Sequence, residues 1–266
     1  MRFAIDGLVL RESNTGENDK LLLILTASKG KIWVKAKGGR SIKNSKSALC
    51  RAFTYGEFEI YDKNGINFLS GGAPSNTFFA YKTDLEGYAL ATYICEICEE
   101  ITGEEQNSED VLRATLNAFY AIEKNLFPLP LIKAAYEIFA ACVSGFAPEL
   151  SLCSDCSKEM LNESGIFSLD VMNGGVLCKE CLEKRNITPE LPDVDQFATK
   201  TILLPLDSSA LMAMKYCSEA KVNRLFNFSI TDQNSMNFFS KAAETYLLNH
   251  LERGFNTLNF YKSVKD

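Results

Sequence analysis

Histidine and tryptophan are almost absent from this sequence: His250 and Trp33 are the single examples among 266 residues. The histidine falls in the last turn of a predicted helix, where the helix dipole favours a cation. One histidine in that position gives no basis for a Ser-His-Asp or Cys-His catalytic arrangement. The phosphate-binding loop GxxxxGK followed by Ser or Thr is missing, and so is the dinucleotide fingerprint GxGxxG. We therefore expect a protein that is not an enzyme.

A secretory signal and a long apolar run are missing too. The first apolar stretch is interrupted by Asp6 and Gly7, unlike the core of a signal peptide. The longest apolar stretch with helical spacing, 134–143, contains Glu137 and is too short to span a bilayer. Nine cysteines without a secretory signal favour thiols and metal ligands over disulfides. We expect a cytoplasmic location.

The first 80 residues read as five short strands separated by turn residues. The strand-type runs are FAIDGLVL, DKLLLILT, KIWVKAK, TYGEFEIY and INFLSGG. Asn64-Gly65 between the last two is a hairpin signal, because both residues readily take the positive φ that such turns need. Five strands without a helix between the early ones fit a five-stranded OB-type β-barrel.

From about residue 75 the apolar spacing becomes helical. Helices are predicted at 85–103, 108–125, 128–145, 207–217 and 232–252. A cysteine-bearing insert occupies 146–190. The predicted fold class is therefore α+β, with an OB-fold nucleic-acid-binding domain at 1–80 and a mostly α-helical domain at 81–266 that carries the insert.

Positive charge is concentrated in one segment of an acidic chain. The net charge is −6, yet residues 29–51 contain eight Lys or Arg and no Asp or Glu. Residues 1–80 are net +5 and residues 81–266 are net −11. A lysine-rich turn can serve solubility alone, but eight cations without an acid favour an anion-binding surface on an acidic body.

On a strand, KIWVKAK places its apolar and cationic residues on opposite faces. Ile32, Val34 and Ala36 suit a barrel core, while the other face is outward. Cations beside an aromatic ring are what binding of single-stranded nucleic acid requires. Trp33 is either a stacking platform for a base or a packed barrel residue. The predicted binding residues are Lys31, Trp33, Lys35, Lys37, Arg40, Lys43, Lys46 and Arg51.

Four cysteines have the spacing of a metal site. CSDC, with Cys153 and Cys156, is separated by 21 residues from CKEC, with Cys178 and Cys181. Two such turns present four thiolates that complete a tetrahedron around Zn²⁺, and four Cys ligands leave no position for a catalytic water. The sequence therefore predicts one structural zinc ion, with a redox-active pair as the alternative.

The surroundings of these cysteines support the same prediction. The segment between them resembles a hairpin with its bend at 173–175, which would bring one CxxC turn to the other. Lys158 and Lys179 would offset the negative charge of the thiolates. Cys95 and Cys98 form another CxxC, but in a helical apolar pattern, so we expect them to pack in a core.

Four N-terminal segments resemble the RecO family of bacterial DNA repair and recombination proteins. They are GLVLRES from Gly7, GENDKLLLILTASKGKI from Gly16, AKGGR from Ala36 and FTYGEFEIY from Phe53. The helical region and the four-cysteine insert agree as well, so the resemblance covers nearly the whole chain. It implies an N-terminal OB fold and a helical C-terminal domain with a zinc finger.

The resemblance also implies function. Family members bind single- and double-stranded DNA, anneal complementary strands, and with RecR help to load RecA onto strands covered by the single-stranded DNA-binding protein SSB. During repair such a protein would be associated with the bacterial nucleoid. The family's basic surface maps onto Lys35, Lys37, Arg40, Lys43 and Lys46, with Lys31 and Arg51. Its zinc ligands map onto the four cysteines of the two CxxC turns.

Two other functions fit the same residues. In an adaptor, the basic segment would dock on an acidic protein partner. In an RNA-binding OB protein, the surface would prefer ribose over deoxyribose. The resemblance to the RecO family favours DNA.

Overall fold

The computed structural model describes residues 2–41, 46–79, 84–161, 163–184 and 202–264. The chain divides into two compact units. Unit 1 comprises Met1–Asn125 and Phe255–Asp266, and unit 2 comprises Leu126–Gly254. Among the described residues, no helix combines the length and the apolar character needed to cross a bilayer.

Unit 1 contains a closed five-stranded barrel in the order β1-β2-β3-β5-β4, with β4 also paired to β1. Strands β3 and β5 are parallel, and the other neighbours are antiparallel. The predicted five strands and barrel are therefore confirmed. The strands are β1 Arg2–Thr15, β2 Asp19–Thr26, β3 Gly30–Ala36, β4 Thr54–Lys63 and β5 Ile66–Thr77.

Alternation along the strands builds the core of the barrel. On β3 the predicted inward residues are buried, and on β4 Phe58 and Ile60 are buried between exposed glutamates. Strand β2 departs from alternation because both of its faces are covered: Leu23 and Leu25 are fully buried where α1 and α2 pack against β1 and β2. The core comprises Val9, Leu22, Ile24, Ile32, Val34, Ala36, Leu49, Cys50, Phe58, Ile60 and Leu69.

Three helices complete unit 1: α1 Leu85–Ile101, α2 Glu109–Glu123 and α7 Asn256–Val264. Cys95 and Cys98 are buried on α1, as predicted. Helix α7 packs on α1 and is anchored by Glu96, whose carboxylate accepts a hydrogen bond from the Thr257 backbone N–H at 3.0 Å. The sequence pattern did not reveal α7, because nine residues with two buried side chains give little periodicity.

Unit 2 combines helices with a four-stranded sheet of order β6-β8-β7-β9. The predicted hairpin is present as β7 and β8, which pair antiparallel. Strand β9 was not predicted, because Pro205 at its centre argues against a strand; the structure accommodates the proline on an edge strand. The elements are α3 Leu129–Val143, β6 Glu149–Cys153, β7 Ile166–Asp170, β8 Gly175–Leu177, α4 Lys179–Lys184, β9 Leu203–Asp207, α5 Ser208–Glu219, a 3₁₀ turn Val222–Arg224 and α6 Gln233–His250.

A buried charge cluster joins α3 to α6. The Lys133 ammonium lies 2.7 Å from a carboxylate oxygen of Glu137 and 2.8 Å from one of Glu244. The three side chains are 4%, 0% and 9% exposed. Burial alone would lower the pKa of Lys133, but the two carboxylates outweigh it and raise the pKa above its ordinary value.

The single histidine lies in the last turn of α6, but its surroundings disfavour the cation that the helix dipole would favour there. The His250 ring packs against Phe146 and Tyr246, with ring centroids 4.9 and 4.2 Å away. Its Nε2 lies 2.9 Å from the Val171 carbonyl oxygen and donates a hydrogen bond to it. Burial lowers the pKa of His250, and the hydrogen bond to Val171 only partly opposes this shift.

We predict that Lys133→Met lowers the free energy of unfolding by about 3–5 kcal/mol, because it leaves two buried carboxylates without their cation. Chemical denaturation measures this loss. Lys221→Met, at an exposed lysine of the same unit, is the control and should change stability little. Adding Glu137→Leu and Glu244→Met to Lys133→Met should recover most of the loss. A loss below about 1 kcal/mol in the single variant would contradict this account.

We also predict that His250 titrates below its ordinary pKa of 6.5. Since the folded state disfavours the imidazolium, this contribution to stability is complete above the unfolded pKa. It is lost as the pH falls through the lower folded pKa. Because the chain has one histidine, its ring proton gives a single NMR signal whose midpoint can be read directly. A midpoint at or above 6.5 would show that the ring is not buried as described.

Candidate nucleic-acid interface and metal centre

The beginning of β3 is covered by the end of α1. The Lys31 ammonium donates to the Glu99 carbonyl oxygen at 2.6 Å, and the Lys31 backbone N–H donates to the Gly103 carbonyl at 3.1 Å. Gly30 permits this approach, because a Cβ there would lie 2.0 Å from the Gly103 oxygen. Carbonyl groups at the end of a helix lack helical partners and attract cations. Lys31 therefore serves a contact within unit 1.

Trp33 is also engaged inside unit 1. The Arg11 guanidinium lies over its ring, 5.3 Å from the centroid, and donates to a Glu99 carboxylate oxygen at 2.8 Å. The side chain is partly exposed. Of the two interpretations left open by the sequence, this arrangement favours the packed one.

The end of β3 is open. Lys35 and Lys37 are exposed, while Val34 and Ala36 are fully buried, so the outward direction predicted for the two lysines is the observed one. Lys35 pairs in register with Phe68 of β5, and the Lys37 ammonium lies 5.3 Å from the Phe68 ring centroid. These residues form the accessible part of the basic segment on the barrel.

Two aromatic residues next to these lysines were not among the predicted site residues. Tyr61 and Phe68 face each other across β4 and β5, with ring centroids 5.3 Å apart and ring planes at 17°. The sequence indicates this pair. The Asn64-Gly65 turn sets the register of β4 against β5, and since Ile60 and Leu69 face inward, Tyr61 and Phe68 face outward.

The remaining predicted cations lie in the loop after β3. Arg40 is exposed and its guanidinium donates to the Glu17 carbonyl at 2.8 Å; the Lys46 ammonium donates to the Leu69 carbonyl at 3.2 Å. Arg51 is exposed. Lys43 lies outside the described residues. We call Lys35, Lys37, Arg40, Lys46 and Arg51 the basic face.

The four cysteines of the CxxC turns meet in unit 2. Their sulfur atoms all lie within 4.8 Å of one another. Cys153 ends β6, Cys156 lies in the following turn, Cys178 follows β8 and Cys181 is on α4. The Cys156 and Cys178 sulfurs are 3.7 Å apart. Zn–S bonds of about 2.3 Å in a tetrahedron place sulfurs about 3.8 Å apart. The cluster can therefore hold a metal ion.

Backbone N–H groups supply positive potential at the Cys153 sulfur. Burial raises the pKa of Cys153, but hydrogen bonds from the backbone of Cys178, Cys156 and Asp155 outweigh it and bring the pKa to about 6. The Cys178 N–H lies 3.3 Å from the Cys153 sulfur.

The two lysines next to the cysteines have carboxylate partners. The Lys158 ammonium lies 3.1 Å from Glu163 and 3.2 Å from Glu180, and Lys179 lies 3.8 Å from Glu183. That these lysines also offset the charge of the thiolates stays a prediction.

Two family models match this chain in succession. The model described as Recombination protein O N terminal matches residues 1–78, and the model described as Recombination protein O C terminal matches residues 82–259. Together they cover the barrel and nearly all of the remaining described elements.

Curated relatives match over nearly the full length. The DNA repair protein RecO of Acetivibrio thermocellus is 27% identical over 259 residues, which are 97% of this chain and 95% of the relative. The protein of the same name from Alkaliphilus metalliredigens is 26% identical over 268 residues, 99% of this chain and 100% of the relative. The one from Listeria monocytogenes is 26% identical over 241 residues, 91% of this chain and 86% of the relative. Both family models and these relatives agree, and the chain belongs to the RecO family of DNA repair proteins.

Proposed function

We propose that this protein is a non-enzymatic recombination mediator that binds single- and double-stranded DNA on the basic face of its barrel. It anneals complementary strands and, with RecR, assists the loading of RecA onto DNA covered by SSB. The observation that carries the proposal is the exposed pair Lys35, on β3, and Lys37, directly after β3, beside two aromatic rings on the outside of the barrel. We also propose a domain boundary near residue 80 and residence in the cytoplasm, with association to the nucleoid during repair.

Annealing by such a surface needs no catalytic residue. Two phosphate backbones repel each other, and cations between them reduce that repulsion and release counterions. Base pairing then supplies the free energy for strand joining. The lysine on β3 has a fixed position on the outside of the barrel. The cations of the loop after β3 can follow the curved backbone of a single strand. The basic face therefore brings strands together, and the strands themselves provide the specificity.

We propose that Cys153, Cys156, Cys178 and Cys181 hold one structural Zn²⁺ ion. A borderline-soft ion without a geometric preference of its own suits four thiolates at tetrahedral separations. All four positions are occupied by protein sulfur, so the ion has no vacancy for a water molecule. Its role is to join the end of β6, the end of β8 and α4, three elements of three to six residues.

We predict that Lys35→Glu with Lys37→Glu lowers single-strand affinity at least tenfold and abolishes annealing. Loss of two phosphate contacts should also flatten the dependence of log affinity on log salt by about 1.4 for single strands. Anisotropy of labelled DNA over a range of salt measures both effects.

Lys221→Glu with Arg224→Glu is the control for this experiment, because it makes the same change in charge at exposed positions of unit 2. It should leave affinity near that of the wild type. Annealing at the wild-type rate by the Lys35/Lys37 variant would refute the mechanism. Binding to an acidic protein but not to DNA at physiological salt would favour the adaptor, and stronger binding to RNA would favour an RNA-binding protein.

We predict one zinc ion per chain by elemental analysis, lost in Cys153→Ser and kept in Cys142→Ser, a cysteine outside the cluster. Structural zinc contributes on the order of 10 kcal/mol in model peptides, so Cys153→Ser should lower the melting temperature and the solubility. Its DNA affinity should stay within about twofold of wild type. Wild-type protein without zinc would disprove the site. A tenfold loss of affinity at unchanged melting temperature would make the cysteine region part of the binding surface.

A further inference from the structure

The stacked rings of Tyr61 and Phe68 lie on the outside of the barrel. Their strand neighbours Ile60 and Leu69 are 1% and 2% exposed and belong to the core, so the two rings point the other way. Both side chains are partly exposed. Cross-strand aromatic pairs stabilise antiparallel sheets, and this pair does so between β4 and β5. Stabilisation of the sheet does not, however, explain why cations lie next to this aromatic pair.

Cations line one side of the pair. Lys35 is the register partner of Phe68 on β3, and Phe68 is the register partner of Tyr61 on β4, so the three residues form one row across three strands. Lys37 extends from the end of β3 over the Phe68 ring. A base can stack on an aromatic face while an adjacent ammonium group contacts the phosphate of the same strand.

Carboxylates border the other side. Glu57 and Glu59 precede Tyr61 on the outward face of β4, and Asp6 pairs in register with Glu57 from β1; all three are exposed. Phosphates are repelled from this part of the barrel. A bound strand is therefore confined to the β3 and β5 side, where it passes the two rings.

Trp33 does not offer an equivalent place. It precedes Lys35 by two residues on the same outward face of β3, but Arg11 covers its ring and Glu99 holds Arg11 in position. A base would have to displace an ion pair to stack there. At Phe68 the cation over the ring is the ammonium group of Lys37, an exposed residue of the basic face.

We propose that Tyr61 and Phe68 form a stacking platform for an unpaired base of single-stranded DNA, with Lys35 and Lys37 on the adjoining phosphates. This inference rests on the proposed function, since it needs DNA on the basic face. It adds a property that the cations do not give: the platform contributes only where a base is unpaired, so it separates single strands from duplexes.

The experiment compares two oligonucleotides of equal length, one ordinary and one abasic, which keeps its phosphates but offers no bases. Wild-type protein should bind the ordinary strand at least about fivefold more tightly, since stacking on one aromatic contributes that much. Tyr61→Leu with Phe68→Leu should bind both strands equally. Its duplex affinity, measured in parallel, should stay at the wild-type value, while its melting temperature should fall because the cross-strand aromatic pair is lost.

Two control variants distinguish failure of the stacking platform from failure of the proposed function. Tyr55→Leu removes another partly exposed aromatic residue from β4 and should keep the preference for the ordinary strand. Lys35→Glu with Lys37→Glu should weaken binding to both strands. A leucine variant that keeps the wild-type preference overturns the platform, while the proposed function stands if the lysine variant loses affinity. Failure of wild-type protein to bind either strand overturns both.

If the variant with both leucines does not fold, a tryptophan variant tests the same proposal. Trp33→Phe with Phe68→Trp moves the single tryptophan onto the platform. Its fluorescence should be quenched by the ordinary oligonucleotide and not by the abasic one. Equal quenching by the two strands would overturn the stacking role.

Discussion

Pairing of β3 with β5 closes the barrel, and the position of Lys35 next to Phe68 depends on that contact. It is the one parallel pairing among the described strands of the barrel, and it is short: Val34 is opposite Asn67, and Lys35 is opposite Phe68. Successive residues of a strand point to opposite faces, so the register that buries Val34 also turns Lys35 outward. A slip by one residue would bury the lysine and expose the valine, at a large cost in free energy. The same register therefore closes the core of the barrel and places Lys35 on its outside.

Some of the cations on and near β3 are bound to other groups of unit 1, so the number of Lys and Arg residues in the sequence exceeds the number available to an anion. At the start of β3 the Lys31 ammonium is bound to a carbonyl oxygen at the end of α1, and the neighbouring Lys29 is paired with Glu105 at 3.1 Å. Lys20 of β2 is paired with Glu12. These cations therefore have partners within unit 1. In the proposed function, the cations that contact DNA are those at the end of β3 and in the loop after it.

The sequence predicted the features that depend on neighbouring residues. Alternation located all five barrel strands and the inward face of β3, and the CxxC spacing correctly predicted that four cysteines meet. Features that depend on distant contacts were missed. Arg11 over Trp33 joins two strands with a helix, Lys158 pairs with Glu163 and Glu180, and His250 is packed against side chains that are remote in sequence. Tyr61 and Phe68 combine a local and a distant feature. The turn between β4 and β5 predicts that they pair, but their position next to Lys35 depends on the parallel pairing of β3 with β5.

In the proposed function, strand annealing would place two opposite demands on the surface of the barrel. Cations must hold two backbones close, yet bases that stay on the protein cannot pair with a second strand. Phosphate contacts exchange readily with counterions and leave the bases free, whereas each stacked base adds a contact that must break before pairing. A long row of exposed aromatic residues would therefore favour storage of single strands over their joining. On our proposal, one aromatic pair next to the basic face would hold an unpaired strand through a single base and leave its other bases available to a complementary strand. When that base enters the duplex, the stacking contact would be lost and the product would keep only its phosphate contacts.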